Sequence, residues 1–232
     1  MCYYKGMIQA LIFDFDGLIL DTEVPDYQAW LEVYAEYNCE LPLSTWATYI
    51  GGAADVFDAY SDLEAQSGRF IDRQAIRTKR RKRYSELVAA QPILPGIVEY
   101  ITAAKRLGLR LAVASSGTRD WVVGNLTRLA LLESFNYIKC ADDVKHVKPD
   151  PALYLAALSA LQIDAQQAIA FEDSPNGVRA AQRAGIFCVA IPNPLTSQLP
   201  LEHADLRLKS LADVPLETLL ARFSDAPPFP SI

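Results

Sequence analysis

The chain has 232 residues, of which 22 are Lys or Arg and 28 are Asp or Glu, so its formal net charge is -6 at pH 7. Its 51% hydrophobic and 22% charged residues are typical of a globular protein and exclude intrinsic disorder. Nucleic acid and anionic membranes attract basic surfaces, so an acidic chain is poorly suited to bind either. We expect neither as a partner.

The cysteines and histidines form no recognisable metal or redox motif. The chain has four cysteines and two histidines, and it contains no C-x-x-C sequence. The first 17 residues lack the small-residue cleavage site of a signal peptide, and no apolar run approaches the length of a membrane-spanning helix. These features predict a reduced, cytoplasmic protein.

Short apolar stretches, each ended by polar residues or glycine, predict five buried strands. They cover residues 10–15, 109–114, 137–140, 168–171 and 186–191. Helical patterns lie between them at 96–107, 119–131, 151–161 and 175–184. Strands that alternate with helices of this length predict an α/β fold, a doubly wound parallel sheet covered by helices on both faces. After Pro192 we expect a loop, a last strand and helix, and a loose end.

Residues 23–90 interrupt this alternation with helical patterns alone. Tyr27, Trp30, Leu31 and Tyr34, for example, recur on one helix face. An all-helical insertion after the first strand predicts a second, smaller domain. We therefore divide the chain into a core of residues 1–22 and 91–232 and a helical domain of residues 23–90.

The strongest chemical signal is Asp14-Phe15-Asp16-Gly17, at the end of the first predicted strand. Residues i and i+2 of an extended chain project to the same side, so both carboxylates can face one site. Ligands bind at the carboxyl ends of strands in open α/β sheets. Two carboxylates held together repel, and a cation or protonation must relieve that repulsion.

Other polar groups are predicted to reach the same edge of the sheet. Ser115-Ser116-Gly117 follows the second strand, Lys148 precedes a helix, and Glu172-Asp173 follows the fourth strand. Each residue alone is more typical of a solvated surface. Together they indicate one polar site at the strand ends.

Four segments resemble the motifs of the haloacid dehalogenase-like superfamily of phosphotransferases: DFDGLILDTE, VASSGT, HVKPDP and FEDSPNGVRAAQRAG. The resemblance runs from about residue 11 to residue 191. It is closest to the branch that holds β-phosphoglucomutase and small-molecule phosphatases, in which a helical cap follows the first motif. It implies a Rossmann-like core, with residues 23–90 as the cap.

The resemblance also implies residue roles. Asp14 would be the nucleophile that forms an aspartyl-phosphate, and Asp16 the general acid and then base. The other expected contacts fall into three sets: Ser115 and Lys148 for the phosphoryl group; Asp14, Asp16, Glu172 and Asp173 for Mg²⁺; Ser116, Gly117, Thr22 and Arg80 for the substrate. A set of oxygen ligands independently suits a hard cation such as Mg²⁺.

Two departures from the mutase pattern favour a phosphatase. Asp26 stands where the mutase branch carries a histidine, and residues 51–54 carry no charge where that branch has an arginine. A mutase must grip a second phosphate, so we expect water to be the phosphoryl acceptor, with a mutase as the alternative. The presence of Asp16 argues against a dehalogenase, because a halide leaving group needs no proton.

The basic run 77–83 is most simply a solvated helix face, with Arg80 turned toward the core and Lys79, Arg81 and Lys82 toward water. Arg80 is also the best cap candidate for contacting a substrate anion. Two non-enzymatic classes remain open: a phospho-accepting signalling domain, which is about half this length, and an inactive binding module. The expected partner is a small phosphate ester, and the expected state is a monomer or weak homodimer.

Overall fold

A computed structural model describes residues 8–50 and 57–224. Within them, six strands form one fully parallel sheet in the order β3-β2-β1-β4-β5-β6. The strands are Ala10–Phe13 (β1), Arg110–Ala114 (β2), Tyr137–Lys139 (β3), Ala168–Glu172 (β4), Phe187–Ala190 (β5) and Leu206–Arg207 (β6). This is the Rossmann strand order, so the predicted α/β fold class is confirmed.

The helices in the described residues fall before, between and after these strands. They are Glu23–Glu36 (α1), Leu43–Ile50 (α2), Ala59–Ser67 (α3), Arg73–Ala89 (α4), Ile97–Leu107 (α5), Arg119–Arg128 (α6), Ala152–Leu161 (α7), Pro175–Arg183 (α8) and Leu216–Ser224 (α9). None of them has the length and apolar character that a bilayer-spanning helix needs.

The largest boundary differences from the sequence prediction have local causes. The first strand ends at Phe13 rather than residue 15, because the chain leaves the sheet and turns through Gly17 at φ 79°. The helix predicted to reach residue 131 ends at Arg128, and Ala130 adopts a positive φ of 56°. The expected last strand and helix are present as β6 and α9. The expected loose end, residues 225–232, lies outside the described residues.

The two faces of the sheet differ in side-chain size. Because side chains alternate along a strand, one face presents large residues to α5, α6 and α9: Leu11, Phe13, Leu111, Val113, Ile169 and Phe171. The other face presents mostly alanine to α7 and α8: Ala10, Ile12, Ala112, Ala114, Ala168 and Ala170. The small side chains allow α7 and α8 to pack close to the sheet.

Helices α1 to α4 pack around a hydrophobic cluster of their own. It contains Trp30, Tyr34, Leu63 and Ile76, all buried. The described residues between 23 and 90 are free of strands, as the sequence predicted. The uncharged stretch 51–54 lies outside the described residues, and the division into two domains stays a prediction.

The predicted orientation of the basic run on α4 is confirmed. Arg80 is half-buried, whereas Lys79, Arg81 and Lys82 are exposed. A solvated outer face accounts for most of the charge in this run.

Candidate active site

The candidate site lies where the strand order reverses. β1 lies between β2 and β4, and the strand order runs in opposite directions on its two sides. In such sheets a crevice opens at the carboxyl ends of the strands at this point. Asp14 follows β1 directly, and its backbone N–H donates to Phe171 O at 2.9 Å. Ser115 follows β2, and Glu172 ends β4. The topology therefore brings three predicted site residues to one edge.

Lys148 lies between two carboxylates. Its Nζ pairs with Asp14 Oδ1 and lies 2.6 Å from Glu172 Oε1, and its side chain is 5% exposed. Burial alone would lower the pKa of Lys148, but the charges of Asp14 and Glu172 hold the pKa above its usual value. Lys148 is therefore a permanent positive charge at the centre of the site.

The α7 helix supports this arrangement through Tyr154. Its buried hydroxyl donates to Glu172 Oε1 at 2.6 Å, and its ring centroid lies 5.1 Å from Lys148 Nζ. Tyr154 thus contacts both Glu172 and Lys148. Its hydrogen bond fixes the position of the Glu172 carboxylate.

Asp14, Glu172 and Asp173 form a buried acidic cluster. One carboxylate oxygen from each lies within 4.8 Å of the others. Burial raises the pKa of Glu172 to about 7, although the charge of Lys148 opposes this shift. Burial, and then the negative charge of Asp14, raise the pKa of Asp173 well above its usual value. Such crowded carboxylates are destabilised unless a cation or a proton joins them. The cluster could therefore hold a metal ion, and its oxygen donors fit Mg²⁺.

Glycines leave the space in which these carboxylates lie. A Cβ at Gly17 would overlap the carboxylate of Asp173, and a Cβ at Gly177 would overlap that of Glu172. Asn193 donates from Nδ2 to Asp173 Oδ2 at 2.9 Å. The carboxylates of the acidic cluster are held by close contact with the backbone at these glycines as well as by hydrogen bonds.

Asp16 is held by donors from three elements. Trp121 Nε1 donates to its Oδ1 at 2.8 Å, Ser115 Oγ donates to its Oδ2 at 3.3 Å, and the Thr22 side chain forms a third hydrogen bond. Burial, with the charge of Asp14, raises the pKa of Asp16 to about 6. A carboxyl group with this pKa can both give and accept a proton near neutrality.

The helical segment contributes further charges near the site. Glu23 is the first residue of α1, and burial together with the negative charge of Asp16 and Asp26 raises its pKa to about 8. Arg80 of α4 forms an ion pair with Asp26, and its guanidinium lies 4.8 Å from the centroid of the Trp30 ring. The positive charge of Arg80 is thus compensated within the segment.

The sequence-predicted residues divide into three groups. The structure brings together Asp14, Asp16, Thr22, Ser115, Gly117, Lys148, Glu172 and Asp173. Ser116 is exposed beside them, and Arg80 is paired with Asp26. The sequence analysis gave no role at this site to Glu23, Trp121, Tyr154 or Asn193. Of these, Glu23 had a sequence signal, as the last residue of the first motif.

The comparisons with known proteins point to one family. The family model that matches residues 11–191 is described as haloacid dehalogenase-like hydrolase. A protein of Bacillus subtilis (strain 168), named "Putative phosphatase YhcW", is 44% identical over 92% of this chain and 97% of its own length. Validoxylamine A 7'-phosphate phosphatase of Streptomyces hygroscopicus subsp. limoneus is 32% identical over 90% of this chain and 96% of its own length.

The solved structures show the same fold. The β-phosphoglucomutase of Clostridium difficile, at 23% identity, has a TM-score of 0.72 over 94% of this chain and 98% of its own. The chain belongs to the haloacid dehalogenase-like hydrolases, as its motifs predicted, and is a phosphoric monoester hydrolase.

Proposed function

We propose that the protein is a Mg²⁺-dependent phosphatase of small phosphorylated metabolites that acts through an aspartyl-phosphate on Asp14. One observation carries the proposal: a buried lysine pairs with Asp14 at the edge of a buried carboxylate cluster. Phosphoryl transfer depends mainly on positioning and on neutralising oxygen charge, and this arrangement supplies both.

Asp14 is the proposed nucleophile. Lys148 holds its Oδ1, which leaves the other carboxylate oxygen to attack phosphorus. As the new P–O bond forms, the ester P–O bond breaks, its electron pair stays on the leaving oxygen, and Asp16 donates a proton to that oxygen. Water then attacks phosphorus while Asp16 takes a proton from it. The Asp14 O–P bond breaks, its electron pair returns to the Asp14 carboxylate, and inorganic phosphate is released.

The phosphoryl oxygens would lie between Lys148 and the start of α6. Ser115 Oγ accepts a hydrogen bond from the Gly117 N–H at 2.9 Å, so this turn is already ordered. Ser116, in the same turn, is exposed. The proposed phosphate contacts are Ser115, Ser116 and Gly117. Thr22 holds Asp16 through its side-chain hydrogen bond.

The acidic cluster would hold the metal. The proposed ligands are Asp14, Glu172, Asp173 and the backbone carbonyl of Asp16. When bound, Mg²⁺ supplies positive charge that offsets the negative charge of the phosphoryl oxygens. Asn193 keeps the carboxylate of Asp173 in place and Tyr154 that of Glu172, each through a hydrogen bond.

Water is the proposed acceptor rather than a second sugar hydroxyl. A mutase must hold a second phosphate, yet Arg80 is already paired with Asp26, and Glu23 adds another carboxylate nearby. This balance of charge favours a substrate with one phosphate and an uncharged, hydroxyl-bearing leaving group. The relative named a validoxylamine A 7'-phosphate phosphatase acts, by its name, on a small phosphate ester. Arg80 stays the proposed cap contact, through a hydrogen bond to a hydroxyl of the leaving group rather than to a second phosphate.

A substrate screen tests the function. Sugar phosphates, phosphoglycolate and nucleoside monophosphates are incubated with Mg²⁺ or with EDTA, and inorganic phosphate is measured. We expect phosphate release that requires Mg²⁺ and needs no bisphosphate activator. Conversion of β-glucose 1-phosphate to glucose 6-phosphate faster than phosphate release would show a mutase instead.

A further inference from the structure

Trp121 makes a contact that packing alone does not require. Its indole Nε1 donates to Asp16 Oδ1 at 2.8 Å across 105 positions of sequence. An indole N–H is a donor only, so it can pair with Oδ1 only while that oxygen acts as an acceptor. When Asp16 is protonated, its proton must then lie on Oδ2, the oxygen next to Ser115 Oγ.

The indole is itself held from the helical segment. Tyr84 of α4 stacks on Trp121 with ring centroids 5.6 Å apart and planes 18° from parallel. The Tyr84 hydroxyl is also hydrogen-bonded to Thr22, which bonds Asp16. Two routes therefore lead from α4 to the same carboxylate.

Gly117 provides the room for this contact. A Cβ at Gly117 would lie 3.0 Å from Trp121 Cδ1 and 3.2 Å from Asp16 Oδ2. A side chain at this position would press on both the indole and the carboxylate, so the glycine allows them to lie close together.

We propose that Trp121 is a positioning residue for Asp16: it assigns the transferable proton to Oδ2, and Tyr84 makes this assignment depend on α4 being seated against α6. The inference rests on the proposed function. In the transfer step the ester P–O bond breaks, the leaving oxygen keeps the electron pair, and the proton moves to it from Asp16 Oδ2. Trp121 gives up no proton.

Leaving-group chemistry separates positioning from packing. An alkoxide leaves only when it is protonated, whereas p-nitrophenolate leaves without a proton. Misplacing the proton on Asp16 should therefore slow phosphoryl transfer from alkyl phosphates much more than transfer from p-nitrophenyl phosphate. A general loss of packing should slow both equally.

The experiment measures kcat/KM of the full chain with Mg²⁺ for p-nitrophenyl phosphate and for the best sugar monophosphate. This constant covers the steps up to transfer to Asp14. Trp121→Phe keeps a ring for Tyr84 but removes the donor. We expect the ratio of the alkyl to the aryl kcat/KM to fall at least about tenfold, a part of what general acids contribute. The ratio does not depend on the fraction of protein that is folded.

Two further variants complete the test. Trp46→Phe makes the same substitution in the cluster of α1 to α4 and should leave the ratio unchanged. Tyr84→Ala removes the stack and the hydroxyl bonded to Thr22 but keeps the indole N–H that donates to Asp16, so it should lower the ratio less than Trp121→Phe.

An equal loss on both substrates in Trp121→Phe, or an unchanged rate, would overturn the positioning role while leaving the phosphatase intact. An unchanged ratio in Tyr84→Ala would overturn the link to α4. A wild-type protein that releases phosphate from neither substrate would overturn the proposed function and this inference with it.

Discussion

Replacing Lys148 by methionine tests whether this lysine is the counter-charge of the buried cluster. It pairs with Asp14 and Glu172 in a place where its side chain is 5% exposed. Removing one partner of such a buried pair costs about 3–5 kcal/mol. For a chain of this length, a loss of about 3 kcal/mol lowers the melting temperature by about 10 °C.

The size of the loss should depend on pH. In Lys148→Met the two carboxylates lose their cation, so the pKa of Glu172 rises further, and protonation of Glu172 relieves the repulsion as the pH falls. Glu172 already has a pKa of about 7 with the lysine present. The loss of stability should therefore be greatest at pH 8 and shrink toward pH 5.

The assay is thermal and urea unfolding of EDTA-treated wild type, Lys148→Met and Lys145→Met at pH 5 and pH 8. Lys145 is an exposed lysine in the same loop, so its variant controls for the loss of a charge. A Lys148→Met protein that melts within about 2 °C of wild type at pH 8 would refute the reasoning.

Four other outcomes follow from the site. Asp14→Asn should lower kcat at least about a thousandfold while circular dichroism keeps the wild-type spectrum. Asp173→Asn should raise the Mg²⁺ concentration needed for half the maximal rate, and EDTA should abolish the wild-type rate. The pKa values of Glu172 (about 7) and Glu23 (about 8) are raised, so the metal-free protein loses stability as the pH rises from about 4 to about 8. Mg²⁺ should therefore raise the melting temperature more at pH 8 than at pH 6. Arg80→Ala should raise KM about tenfold with little change in kcat.

Each of these outcomes has a contrary result. Asp14→Asn activity within tenfold of wild type would contradict the covalent mechanism. A wild-type rate that EDTA leaves unchanged would contradict the metal requirement. Equal Mg²⁺ stabilisation at both pH values would contradict the raised pKa values. Lys79→Ala, an exposed neighbour of Arg80, is the control for the KM effect and should leave KM unchanged.

The core of the site was predictable because it depends on strand ends. Parallel strands share one carboxyl edge, so polar residues that follow β1, β2 and β4 must meet there, whatever their separation in sequence. Asp14, Ser115 and Glu172 follow from this rule. Lys148 lies in a loop, and its role came from the resemblance of the motifs to a known family.

The supporting residues were not predictable in the same way. Tyr154, Trp121 and Asn193 reach the site through side-chain direction and through packing between distant elements, which no spacing rule encodes. Trp121 illustrates the difficulty, because an aromatic residue on a helix is most simply interpreted as core packing. Only the distance from its Nε1 to Asp16 separates the two roles.

The unequal faces of the sheet give the protein an asymmetric tolerance of mutation. On the alanine-rich face, Ala112 and Ala170 are fully buried beneath α7 and α8. A larger residue there would push α7 outward, and α7 carries the tyrosine that holds Glu172. On the opposite face, where Phe13 and Phe171 stack, the harmful change is a loss of volume. Directed evolution of this enzyme should therefore reject enlargement on the alanine-rich face and loss of volume on the opposite face.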